Sequence, residues 1–165
     1  MQHPARYLIL LWLIVCQSVM AGNVQKADEV LVVKSEKRLY LLHRNKPFAS
    51  FPVTFGSNPK GHKQMRGDGR TPEGSYVLDY KNPNSKFYKS IHISYPDQRD
   101  RDHARRNGMD PGGDIMIHGQ PNGYGWAAPV LQLFSWTDGC VALSDSNMDV
   151  IWESVDPGTP IEIRP

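Results

Sequence analysis

A mainly β domain, a sandwich or barrel with a few short helices attached, is predicted by three features of this sequence. Short apolar runs recur along the chain, turn-forming residues separate them, and only two stretches carry helical periodicity. Residues 29–34 (EVLVVK) and 38–43 (RLYLLH) are β-type runs joined by Ser35, Glu36 and Lys37, which reads as a hairpin. The next run, 47–55, carries Phe51, Val53 and Phe55 close to period two. Residues 56–74 form a long polar loop rich in glycine, of a length that usually has a function in a small domain. Further strands are predicted at 75–80, 89–94, 114–118 and 139–143, with 159–164 closing the sheet. One charged helix is predicted over 97–107, ending at Gly108. A second, over 147–155, follows the cap candidates Ser144 and Ser146. It carries Met148, Ile151, Trp152 and Val155 at helical spacing, and Pro157-Gly158 stops it.

The ends and the composition bound the organisation. Residues 1–21 read as a signal peptide: Arg6 near the start, a mostly apolar run at 7–16, then Val19 and Ala21 as small residues before a cleavage point. That run is about half the ~20 residues a membrane span requires, so peripheral contact is the most membrane association expected. Lipid attachment at Cys16 is disfavoured because Val15 is not small. Residues 22–165 then form one exported domain, large enough for its own core. No repeat or linker divides it, and a monomer is expected. The whole chain holds 19 Lys and Arg against 17 Asp and Glu, and the leader removes Arg6 alone, so the domain is close to neutral. Nucleic acid is therefore excluded as a main partner. The cluster Arg99, Arg101, Arg105 and Arg106 is interleaved with Asp97, Asp100 and Asp102, which describes a solvated helix face.

With the leader set aside, Cys140 is the one remaining cysteine. A lone thiol in an exported protein has no disulfide partner and is exposed to oxidation, so keeping it needs a reason. Upstream, His118 ends an apolar run and precedes Gly119, as Cys140 follows Gly139. A thiol and an imidazole so placed are the parts of an activated nucleophile, and the residues point to a cysteine acyltransferase. Glycine at 139 lets substrate approach the backbone and leaves N–H groups for an oxyanion. The competing readings are duller. A free cysteine can pack as a small hydrophobe, and a histidine can be a satisfied core residue. His92 alternates with Ile91 and Ile93, while His43, His62 and His103 lie in polar surroundings. Zinc on Cys140, His118, Asp138 and His92 lacks any paired ligand spacing, so no metal and no cofactor are expected. Tyr124, Trp126, Phe134 and Trp136 fall between the two candidate catalytic residues and read equally as core or as a cleft wall.

The set Gly67-Asp68, Thr71-Pro72 and Gly74, then Ile117-His118-Gly119, then Trp136-Thr137-Asp138-Gly139-Cys140 resembles the L,D-transpeptidase catalytic domain of YkuD type, in its ErfK/YafK-like branch. The resemblance spans residues 28–164. It implies a β-sandwich- or barrel-like fold, Cys140 as nucleophile and His118 as base, with the imidazole oriented by the backbone carbonyl of Gly119. Backbone N–H groups at Gly139 and Cys140 would hold the oxyanion. The implied substrate is a peptidoglycan stem peptide, attacked at the L-centre of its diamino acid, in cell-wall biogenesis and the control of cell shape. A hydrolase of the same fold (an L,D-carboxypeptidase, or an amidase releasing wall-bound protein) and a wall-binding module are the alternatives. Intact Cys140 and His118 speak against the last. Two positions depart from the family pattern: many relatives carry histidine where this chain has Asp138, and arginine where it has Ala142. A lost arginine removes a carboxylate clamp; Arg70 reads equally as a replacement cation and as an exposed loop arginine. Asp138 is expected to bind an ammonium group or to cap a backbone amide, and Trp136, Thr137 and Tyr124 are further expected substrate contacts.

Overall fold

The computed structural model describes residues 24–165; the leader predicted over 1–21 lies outside the described residues. Alternation sets the first strands. In β1 (Glu29–Val33) Val30 and Val32 point into the core, and in β2 (Arg38–His43) Leu39 and Leu41 do the same. These two strands pair antiparallel, with Val33 opposite Arg38 across the predicted hairpin. β3 (Lys46–Pro52) pairs antiparallel with β2 and carries Phe51 inward. After the long loop come β4 (Gly74–Asn82), β5 (Ser90–Ile93), β6 (Met116–His118), β7 (Val141–Ala142) and β8 (Thr159–Arg164).

All eight strands belong to one sheet, in the order β3-β2-β1-β8-β4-β5-β6-β7. The protein is mainly β with short helices, as the sequence predicts. The C-terminal strand differs from expectation in its place. β8 does not close the sheet at an edge; it lies between β1, which it joins in parallel, and β4, which it joins antiparallel. Thr159, Ile161 and Ile163 are buried along it, so each flank covers a strand that is apolar on one face. The two edges of the sheet also meet. Thr54, just beyond β3, exchanges both backbone hydrogen bonds with Ala142 of β7, at 2.8 and 2.9 Å. That bridge curls the sheet toward a barrel, because it ties the first edge to the last.

The helices are α1 (Gln98–Arg106), α2 (Ala128–Leu131) and α3 (Asp145–Ser154). Asp97 caps α1 in a reciprocal capping box with Asp100. The arginines of α1 face solvent, but Asp100 does not: it is buried, accepting from the Tyr76 hydroxyl and lying 3.0 Å from Nε2 of His62. Ser144 caps α3, which begins two residues earlier than predicted and buries Met148 and Ile151 completely, each contributing roughly 1.5–3 kcal/mol. The 3-10 turn Gly125–Ala127 and α2 lie between β6 and β7, where the sequence predicts no helix; Pro129 stands in the first turn of α2, where its missing N–H costs nothing. No helix among the described residues is long and apolar enough to cross a membrane.

Candidate active site

Strand pairing brings His118 and Cys140 together. β6 and β7 run parallel with Ile117 opposite Val141 and His118 opposite Ala142, so Cys140 stands one step back, beside Met116. Because side chains alternate in register, Cys140 and His118 share one face of the sheet on a diagonal, a spacing of roughly 7–8 Å between backbones. The Cys140 Sγ accepts from the Met116 N–H at 3.4 Å and donates toward the Asp114 carbonyl at 3.6 Å. The thiol is partly accessible yet ringed by protein atoms, and that desolvation pushes its pKa up to about 11. Asp138 and Asp114 act in the same direction by charge, against the Met116 N–H and the cation of Lys63.

His118 is 2% exposed, and its Nδ1 lies 2.6 Å from the Gly119 carbonyl. A carbonyl only accepts, so Nδ1 carries the proton and Nε2 is left as the base. Burial holds the imidazole down at about 4, with the Gly119 carbonyl opposing. The resting pair is consequently neutral thiol and neutral imidazole. Phe87 lies against the ring at 4.4 Å between centroids, tilted by 33°, and Trp136 meets it edge-on at 5.9 Å.

Gly119 is a fixed point. Its N–H donates to the Tyr88 carbonyl at 2.9 Å, and the next amide, Gln120, donates to Asp145 at 2.8 Å. A Cβ at 119 would come within 2.6 Å of Asp145 Oδ1 and 2.7 Å of the Tyr88 carbonyl, so only glycine allows this approach. The start of α3 thereby sets the carbonyl that sets the imidazole. Phe87 and Asp145 gave no sequence signal, because their relation to His118 depends on long-range pairing.

The turn before Cys140 is built around Thr137. Its hydroxyl donates to the Cys140 carbonyl at 2.8 Å and accepts from the Gly139 N–H at 3.2 Å. Two sequence expectations change here. Thr137, expected as a substrate contact, is buried with its hydroxyl engaged inside the turn, where it holds the backbone of Cys140. The Gly139 N–H already has an acceptor, which leaves the Cys140 N–H, unpaired among the described residues, as the amide open to an oxyanion. Gly139 has φ +124°, and a Cβ there would meet the Arg70 carbonyl at 2.5 Å. Gly139→Ala is therefore expected to cost on the order of 2–3 kcal/mol, with a melting temperature lower by roughly 5–10 °C and activity reduced together with it. Thermal unfolding of the purified variant checks this.

The remaining expected contacts divide. Asp138 is exposed and makes no hydrogen bond among the described residues, so the amide-capping alternative is not what the structure has. Trp136 is half-buried, and its indole N–H is buried with no partner. Tyr124, Trp126 and Phe134 form no core: they are 57%, 79% and 61% exposed, on the segment between His118 and Cys140. Arg70 is half-buried and reaches the His62 carbonyl at 3.5 Å, lining a cavity with Asn58, Asp68 and Met109 that does not include Asp138. The cation felt at the thiol is Lys63, a residue sequence reasoning passed over because lysine in a polar loop carries no signal.

The curled β-sheet thus brings a buried histidine and a partly accessible thiol onto one face. Residues 27–163 match the family model for the L,D-transpeptidase catalytic domain (YkuD), and the chain belongs to that family. It is 30% identical over 108 residues to YafK of Escherichia coli (strain K12), a match covering 64% of this chain and 36% of YafK. The helical cell shape determining protein Pgp2 of Campylobacter jejuni superposes with a TM-score of 0.61 at 27% identity, over 82% of this chain and 46% of that one. The L,D-transpeptidase of Mycobacterium smegmatis shares the fold, with a TM-score of 0.55 at 13% identity over 83% of this chain and 58% of that one. The chain thus spans about a third of YafK and about half of Pgp2.

Proposed function

We propose that this domain is a peptidoglycan L,D-transpeptidase in which Cys140 forms the acyl-enzyme and His118 moves the protons. The observation that carries the reading is the 2.6 Å contact of His118 Nδ1 with the Gly119 carbonyl, which leaves Nε2 as the free nitrogen of a ring that strand register sets on the same sheet face as Cys140. Residues 1–21 would direct the domain of residues 22–165 to the periplasm, where the stem peptides are.

The thiol and imidazole are both neutral at rest, so the thiol proton passes to Nε2 as the sulfur attacks the carbonyl carbon at the L-centre of the diamino acid. The oxyanion accepts from the Cys140 N–H, a donor of a kind worth roughly 3 kcal/mol in related chemistry. The carbon–nitrogen bond then breaks, the leaving amine takes the proton from Nε2, and a thioester remains. An acceptor amine attacks the thioester, gives its proton to Nε2, and the carbon–sulfur bond breaks as the thiol is restored. The unpartnered Trp136 indole N–H beside His118 offers a donor to a peptide carbonyl.

Mass analysis of stem peptides incubated with the protein, with and without an added amine, tests the reading. An acyl adduct on Cys140 and an amine-dependent cross-linked product are expected. Adduct formation with water alone as the effective acceptor would make the domain a hydrolase, and no adduct would end the proposal. Alkylation of Cys140 by iodoacetamide near neutral pH is expected to be faster in the parent than in His118→Ala, and in both to rise toward pH 11 as the thiolate forms. Equal rates would assign the histidine a structural role.

A further inference from the structure

The sheet carries a second histidine onto the face that holds Cys140, and the chemistry above does not use it. In β5, His92 stands directly opposite Met116 of β6, as Ser90 stands opposite His118. Met116 in turn lies beside Cys140, whose Sγ accepts from its N–H at 3.4 Å. Residues opposite one another in register point to the same face, so His92, Met116 and Cys140 form one row across the sheet. His118 stands in the next row, with Ser90 and Ala142. Two strand spacings separate His92 from Cys140, roughly 10 Å between backbones.

His92 is built as a base. The pairing of β4 with β5 is irregular between Leu78 and Lys81, and this bulge turns both Asp79 and Tyr80 toward the ring. Nδ1 of His92 lies 2.7 Å from Asp79 Oδ1, and Tyr80 stacks on the imidazole at 4.7 Å between centroids, 14° off parallel. A carboxylate only accepts, so Nδ1 carries the proton and Nε2 is the nitrogen left for a ligand. The His92 side chain is 16% exposed, packed enough to be held and open enough to be reached. Asp114, an exposed residue, joins this corner to the thiol. Burial first, then the charges of Asp114 and Asp79, raise the Tyr80 hydroxyl above its ordinary range. After burial, Asp114 acts in the same sense on Cys140, whose Sγ faces the Asp114 carbonyl at 3.6 Å.

Proton balance calls for a second base. Near neutral pH an alkyl amine is an ammonium without a lone pair. It must lose one proton before it attacks the thioester and another as the amide forms. His118 takes the later proton and returns it to the sulfur as the carbon–sulfur bond breaks. A ring that burial holds at about 4 is a poor acceptor for the earlier one. We propose that His92, oriented by Asp79, is a second catalytic base, which takes that earlier proton at Nε2 and so turns an incoming ammonium into the attacking amine. The nitrogen–hydrogen bond breaks, and an imidazolium forms against the Asp79 carboxylate. The freed lone pair then makes the carbon–nitrogen bond, and the ring later gives its proton to water. The inference rests on the transpeptidase reading above and adds the acceptor's side of it: a cationic amine, drawn in by Asp79 and Asp114. The span fits, since an attacking nitrogen stands roughly 3 Å from the carbonyl carbon and its base roughly 3 Å beyond. Asp79 acts through His92 and is a positioning residue.

The test follows discharge of the acyl-enzyme. Cys140 is loaded with a donor stem peptide, and loss of the adduct is timed by intact-protein mass at neutral pH. Two acceptors are compared: a stem tripeptide, whose diamino acid brings an ammonium, and hydroxylamine, which is already uncharged. His92→Gln and Asp79→Asn should each slow discharge by the tripeptide at least ~10-fold, with discharge by hydroxylamine and loading of Cys140 within about 2-fold of the parent. A merely structural role would slow both acceptors alike. Equal slowing with the two acceptors, or no slowing with either, overturns the proposal and leaves the transpeptidase reading standing. No adduct in the parent overturns both.

Discussion

Replacing Cys140 with alanine is expected to reduce turnover of stem peptides by on the order of 10³-fold or more while the melting temperature stays within about 2 °C of the parent. The two halves of this result have separate causes. The sulfur supplies the bond-forming atom. Its packing is slight: Sγ makes one long hydrogen bond from Met116 and one toward Asp114. The turn that presents it is held by Thr137 and Gly139, which the substitution leaves in place. Cys140→Ser should be nearly as inactive, because a hydroxyl is a far weaker acid than even this raised thiol and a buried imidazole near 4 is a weak base. Steady-state assay beside thermal unfolding reads both halves at once. Parental turnover in the alanine variant would remove Cys140 from the chemistry; a large fall in melting temperature would make the thiol structural.

What the sequence discloses and what it hides follow a physical line. β1, β2 and β8 are legible because alternation of Val, Leu and Ile with polar residues is local, and their buried positions are the ones that period two selects. The position of β8 between β1 and β4 is not legible, since the order of strands depends on which apolar faces remain uncovered after the chain has turned. Cys140 and His118 could be picked out by their glycine neighbours, but their common face depends on parallel pairing of β6 with β7, which no local pattern discloses. The expectations that changed were those in which a side chain had two possible partners. Thr137 turned inward to its own turn, and Arg70 followed the His62 carbonyl, while Lys63 was drawn under the loop by Asp68. Backbone carbonyls settle Thr137 and Arg70, and the Asp68 carboxylate settles Lys63, for which the sequence carried no expectation.

Replacing His118 is expected to lower kcat by roughly 10²–10⁴-fold, the usual worth of a positioned general base, and the pH dependence tells this role from a merely structural one. Neutral imidazole is the active form, and burial keeps the ring neutral down to about pH 4. The parent's kcat/KM should therefore hold nearly level from neutrality to about pH 5 and fall below 4, whereas an imidazole titrating at its ordinary value of 6.5 would have lost most activity by pH 5. Stability should report the same group. Above 6.5 both folded and unfolded states carry the neutral ring, and its contribution is complete. Between 6.5 and about 4 the unfolded chain takes up a proton that the folded ring refuses, so stability falls as pH falls, by about 3 kcal/mol for this group across the window. His118→Gln keeps a polar side chain without a titrating ring and should lose that component, so the difference in urea midpoint between parent and variant should change from pH 7 to pH 4.5. An acid limb near 6.5 together with an unchanged difference would mean that the ring is solvated in the working enzyme. The proton would then leave Cys140 by a route other than Nε2.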